Sequence, residues 1–198
     1  NDNYICELIR NDSIDDFISY VNKNELKLTI QIKKSIFETN FLLNKNSINL
    51  IEYTAFFGSI KIFKYLLKNG VNLTSNIWLY AVHSNNAELI HLIEENDIHP
   101  DFDVCKNVFC ESIKCHHIDI AYYLYQQFQN ETNLYVNEKI QFYLRYYNFI
   151  EFSNRLNEIC IQNEDQKSNF CYYLCKFDYF FLFDLMLKKI KINVNSVV

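Results

Sequence analysis

Apolar residues recur along much of this chain at i, i+3, i+4 and i+7, the spacing of one buried face of an α-helix. In 60–70 the run is Ile62, Phe63 and Leu66; in 87–96 it is Leu89, Leu92 and Ile93; in 118–128 it is Ile120, Tyr123 and Leu124. Each of these follows a shorter apolar stretch with a small residue at its centre, Ala55, Ala81 or Ser112. A break separates the two, at Gly58, Asn85 or His116, where a tight turn favours a backbone that tolerates positive φ. Asn49, Asn76 and Asn107 each stand one residue before an apolar run, where a side-chain oxygen caps free backbone N–H groups. Glu52, three residues after Asn49, completes a capping-box pattern. Gly70 and Pro100 punctuate the ends of the second helices.

The phrase repeats. NLIEYTAFFGSIKIFKYLLKNGVNL (49–73) slides onto NIWLYAVHSNNAELIHLIEENDIHP (76–100) with an offset of 27, pairing Asn49 with Asn76, Ala55 with Val82, Gly58 with Asn85 and Leu66 with Ile93. Weaker echoes lie in 5–21, with Asp12 near the glycine position; in 138–159, with Asn148 at the turn and Leu156 in the core; and in 169–190, with Asp178 and Met186 in those places. Residues 26–46 fit a helix without fitting the full phrase. A period of a few tens of residues predicts a stacked array. The expected architecture is all-α: about five to six antiparallel helix pairs forming one solenoid over 1–198, irregular in 1–47, clearest in 48–128 and divergent in 129–198. The best candidate for a long loop is 129–133. The chain begins with Asn1 rather than Met, and reads as a fragment of something longer.

Thr54–Ala55, Gly58–Ser59, Leu66–Leu67 and Asn69–Gly70 match the small-pair, turn, Leu-Leu and terminal-glycine positions of the ankyrin repeat. More closely, 48–125 resembles a divergent ankyrin-like domain of uncharacterised function, of the kind expanded in trichomonad protists. The family's Thr-Pro-Leu-His is replaced by Asn76-Ile77-Trp78-Leu79 and Asn107-Val108-Phe109-Cys110, and the tip lacks the usual Asp-Gly pair. The resemblance implies a protein-binding module that recognises its partner through connecting tips and a concave face of first helices. On that analogy the tip residues are Asn72, Leu73, Thr74 and Ser75, then His99, Pro100, Asp101 and Phe102. The first-helix residues are Glu52, Phe56, Leu79 and His83.

Composition narrows the alternatives. Nearly half of the residues are apolar and 17% are aromatic, enough to fill a core, while one proline and two glycines leave little for flexible linkers. A net charge of −5 lacks the basic footprint of a nucleic-acid binder. No stretch reaches the ~18 apolar residues of a membrane span, and FDYFFLFDLML (177–187), broken by Asp178 and Asp184, reads as a core helix. Seven scattered cysteines read as reduced thiols, which places the chain in the cytoplasm or nucleus.

Chemistry finds little to hold. Cys105, Cys110 and Cys115 with His116 and His117 have a spacing of five, which puts successive cysteines on different helix faces and fits no zinc knuckle. Cys171 and Cys175 share a face but have no histidine beside them. The acidic pairs Asp15–Asp16 and Glu94–Glu95 fall on polar helix faces, and no glycine-rich phosphate loop exists. The sequence therefore predicts neither an enzyme nor a cofactor or metal. A structural scaffold, assembling along a filament or with itself through the aromatics of 122–183, is the alternative to the binding module.

Overall fold

The computed structural model describes residues 2–33, 38–45, 48–128, 136–159 and 164–190. Among them the chain is mostly helical, as the apolar spacing predicts. The helices are α1 (Asp2–Arg10), α2 (Ile14–Lys23), α3 (Phe41–Lys45), α4 (Leu50–Phe57), α5 (Ile60–Lys68), α6 (Ile77–Ser84), α7 (Ala87–Glu95), α8 (Phe102–Lys114), α9 (Ile118–Gln127), α10 (Val136–Arg145), α11 (Phe149–Ile159), α12 (Glu164–Lys176) and α13 (Phe180–Ile190). Contacts group the chain into two compact units, 1–111 and 112–198.

The turns show why the helices come in pairs. A residue in the left-handed region recurs at Asp12, Gly58, Asn85, His116, Tyr147 and Asp178. At five of these, all but Asn85, the next amide donates five residues back along the chain, as in Ser59 N–H to Thr54 O and Tyr179 N–H to Leu174 O. These bonds satisfy carbonyls that the helix end leaves open. At Asn85 the neighbouring amide of Asn86 donates to Ser84 Oγ instead. Gly58 has a second reason to be glycine: a Cβ there would stand 3.1 Å from Ser84 Cβ.

In the first unit α1 packs on α2, α4 on α5 and α6 on α7, while α4 also lies between α1 and α6. Ile9, Phe17, Leu50, Phe63, Leu66, Trp78, Val82, Leu89 and Ile93 fill the space between them. Among the described residues, 26–46 is not the single helix expected. Gln31–Ile32 forms a two-residue strand, paired antiparallel with Ile48–Asn49, and helix is confined to Phe41–Lys45. Thr29-Ile30-Gln31-Ile32 alternates polar and β-branched residues, a period-two signal that outweighs the helical one.

In the second unit α10 packs on α11 and α12, and α12 packs on α13. Ile140, Leu144, Phe152, Phe170 and Leu174 form its core, with the Phe152 and Phe170 rings stacked at 5.6 Å. The expected core helix over 177–187 is a correction: α13 begins at Phe180, and none of its described residues is buried, because its packing on α12 covers only part of its surface. Leu156 and Met186 have side chains outside the described residues, as does the loop 129–133.

The spacing of turns changes along the chain. Left-handed residues stand at 58, 85, 116, 147 and 178, so the interval is 27 once and 31 thereafter. The first helices α4 and α6 have 8 residues, whereas α8 and α12 have 13. One added helical turn of about 3.6 residues accounts for most of the difference.

Candidate functional site

The first helices of unit 1 carry a connected strip of half-buried side chains. Arg10, at the end of α1, donates through Nε to Tyr53 Oη at 2.9 Å and through its terminal nitrogen to Glu38 Oε1 at 2.5 Å. Tyr53 Oη donates to the same Glu38 oxygen at 2.7 Å, so the three groups satisfy one another. The guanidinium also lies over the Phe57 ring at 5.5 Å. Phe57 meets Phe56 at 5.0 Å, Phe56 stacks on His83 at 4.4 Å, and His83 Nε2 pairs with Glu111 Oε1 at 2.8 Å. The strip therefore crosses α1, α4, α6 and α8.

Burial perturbs the hydroxyls under the strip. Tyr53 is raised far above the usual phenol range by burial, reinforced by its bond to Glu38. Tyr80, 27 residues on, is pushed up to about 12 by burial and then by the Glu52 charge. Both hydroxyls are held neutral at physiological pH.

A second feature lies where the second helices end. A groove of about 330 Å³ is lined by Leu67, Val71, Leu73 and Ile98 together with Asn72 and Asn96. Gly70 also lines it, and a Cβ there would meet nothing within 4 Å, so the groove stays open. The two connectors that form it are built alike. Asn69 Nδ2 donates to Tyr65 O and Asn96 Nδ2 to Leu92 O, as Asn24 Nδ2 does to Tyr20 O. A left-handed residue follows each asparagine, at Glu25, Gly70 and Asp97. Trp78, fully buried, anchors the second connector by donating from Nε1 to Ile98 O.

The residues expected to bind a partner divide between these two features. Phe56 and His83 lie at the middle of the strip. Leu79, one turn before His83 on α6, is half-buried. Glu52 is occupied locally: its carboxylate accepts from the Asn49 amide and Asn49 Oδ1 accepts from the Glu52 amide, closing the capping box. Asn72 and Leu73 line the groove. Thr74 and His99 are exposed beside it in sequence, and Ser75 Oγ donates to Asp101 Oδ2 at 3.0 Å, tying the two tips together. Pro100 is buried, and its carbonyl accepts from Cys105 Sγ at the start of α8. Phe102 opens α8, and its side chain is outside the described residues.

Two expected caps are also corrected. Asn76 has helical backbone angles and makes no side-chain cap, because α6 starts from a turn in which Ile77 N–H donates to Thr74 O. Asn107 lies inside α8, whose buried positions Cys105, Val108, Phe109 and Ser112 extend the helical spacing toward its N-terminus. Asn86 caps α7 instead, accepting from the amides of Glu88 and Leu89.

Arg10, Glu38, Glu111, Asn96 and Ile98 are site residues that sequence reasoning missed. Asn96 and Ile98 were within reach, since the offset of 27 maps them onto Asn69 and Val71. Arg10 and Glu38 were not, because their pairing spans 28 residues of irregular chain. No disulfide links the six cysteines among the described residues, and no helix among them is long and apolar enough to cross a membrane. No family model, curated protein or solved structure matches this chain.

Proposed function

We propose that this chain is a non-catalytic protein-binding module, built as an ankyrin-like stack of helix pairs, that engages its partner through connector tips and the face of its first helices. The observation that carries this reading is the groove lined by Asn72 and Leu73, two tip residues, together with Asn96 and Ile98 of the next connector. Its lining combines four apolar residues with the polar groups of Asn72 and Asn96, and a mixed surface of this kind suits a short peptide segment. The regular pairing of helices, with a left-handed residue between the members of each pair, supports the stacked-repeat part of the reading. The polar groups of the strip are engaged with one another, as in Arg10–Glu38–Tyr53 and His83–Glu111, which suits a rigid recognition face better than a reaction centre.

A displayed peptide library selected against the chain tests the proposal. Amide chemical shifts recorded with a selected peptide should move at 70–73 and 96–98, and Leu73→Ala should weaken that peptide's binding by about tenfold. Shifts confined to other residues, or equal binding by the variant, would remove the groove from the proposal.

A further inference from the structure

Unit 2 carries an aromatic rim that its fold leaves open to solvent. Tyr147 lies at the turn between α10 and α11, and Tyr179 follows the turn residue between α12 and α13. Their rings meet edge to face at 6.3 Å, and Phe149 touches both, at 6.3 Å and 5.4 Å. Ile150 follows Phe149 in the chain, and Phe180 and Phe181 follow Tyr179. Phe181 is 95% exposed, Ile150 78% and Tyr147 69%. Large apolar patches on soluble proteins mark places where something docks.

The backbone at Tyr147 is a second, independent observation. Tyr147 holds φ at 58°, a conformation costly for a bulky residue. Asp12, Gly58, Asn85 and Asp178 occupy the same turn position with residue types that accept it. A tyrosine there gains little from local conformation or burial, and its ring contacts are with Phe149 and Tyr179 of the rim itself.

We infer that this rim is a self-association surface, on which a second copy of the chain docks through the same rim. At roughly 150–250 Å² per aromatic side chain, the exposed parts of Tyr147, Phe149, Ile150, Phe180 and Phe181 supply about 700 Å², close to the ~800 Å² per partner of a standard interface. Those five side chains bear no charge, so two copies meet without repulsion at the centre. Around them the exposed charges have both signs: Arg145 and Lys176 on one hand, Asp178 on the other. A rim with both signs of charge at its flanks allows the self-complementary pairing that an isologous contact needs. These residues differ from those of the groove, so either proposal can fail without the other.

Sedimentation velocity of the full chain across the micromolar range tests this. The unaltered chain should form a dimer that plateaus at two copies. The double variant Phe181→Ser with Ile150→Ser should weaken the dimer by about tenfold or more, with an unchanged far-UV circular dichroism spectrum because both side chains are exposed. Tyr147→Asn should weaken it too while raising the melting temperature, since asparagine accepts the left-handed turn. Phe41→Ser, which removes an exposed phenylalanine of unit 1, should leave association unchanged. A chain that stays monomeric throughout overturns the inference, as does open-ended growth or an equal effect from Phe41→Ser.

Discussion

The Glu52 carboxylate performs two jobs that conflict. It closes the capping box at the start of α4, and it is removed from water to do so. Burial raises its pKa above the ordinary 4.5, outweighing the hydrogen bond from Asn49 that lowers it. The folded state thus holds the Glu52 proton more tightly than the unfolded chain does. Its contribution to stability is greatest below the unfolded value and declines as pH rises through the folded one. Glu52→Gln keeps the box, because glutamine fills that position equally well, and removes the titration. Denaturant unfolding at pH 4 and pH 7 should show the unaltered chain losing stability relative to Glu52→Gln as pH rises; a difference that does not vary with pH would contradict the burial argument. Asn49→Ala should cost about 1 kcal/mol at either pH. This box was legible in the sequence because all of its parts lie within four residues. Asn76 and Asn107 look the same locally, yet packing of α6 and α8 decides where those helices begin, so their asparagines do not cap.

At the level of elements, the second helices were the most legible part of the chain. Ile62, Phe63 and Leu66 are fully buried, as are Leu89 and Ile93 at the matching positions. Leu66→Ala should therefore cost about 2–5 kcal/mol as a core cavity, whereas Thr74→Ala, at an exposed tip, should stay within about 0.5 kcal/mol of neutral. Chemical denaturation of both variants checks the register, and equal effects would contradict it. The first helices were less legible because their length varies. An offset of 27 holds between α4 and α6, but the longer α8 shifts everything after it to 31. The turn in 138–159 falls at Tyr147 rather than Asn148. Asn148 is instead buried, with its backbone N–H bonded to Tyr143 O. The 26–46 segment misled for a different reason: four residues of alternating pattern are too short to stand out in a helix-length window, yet they suffice for a two-residue strand pair.

Across the whole molecule, contacts concentrate within each unit and between successive helix pairs, so stability should be distributed rather than shared equally. If the helix pairs stack as proposed, each pair depends on its neighbours, and the free energy is close to a sum of pair and interface terms. The best-packed element of unit 1 is α4, which touches α1, α5 and α6 and buries Leu50, Ile51, Tyr53, Thr54 and Ala55. Native-state hydrogen exchange should find its amides, and those of α6 around Trp78, among the slowest. Leu66→Ala should then speed exchange in α4 to α7 by a large factor, since a loss of 1.4 kcal/mol is about tenfold in an opening equilibrium. The amides of α12, whose buried residues Phe170, Cys171 and Leu174 belong to the other unit, should change far less. A uniform acceleration in α4 and α12 would mean that the chain opens as one cooperative body, and the description of its stability as a sum over neighbouring pairs would have to be abandoned.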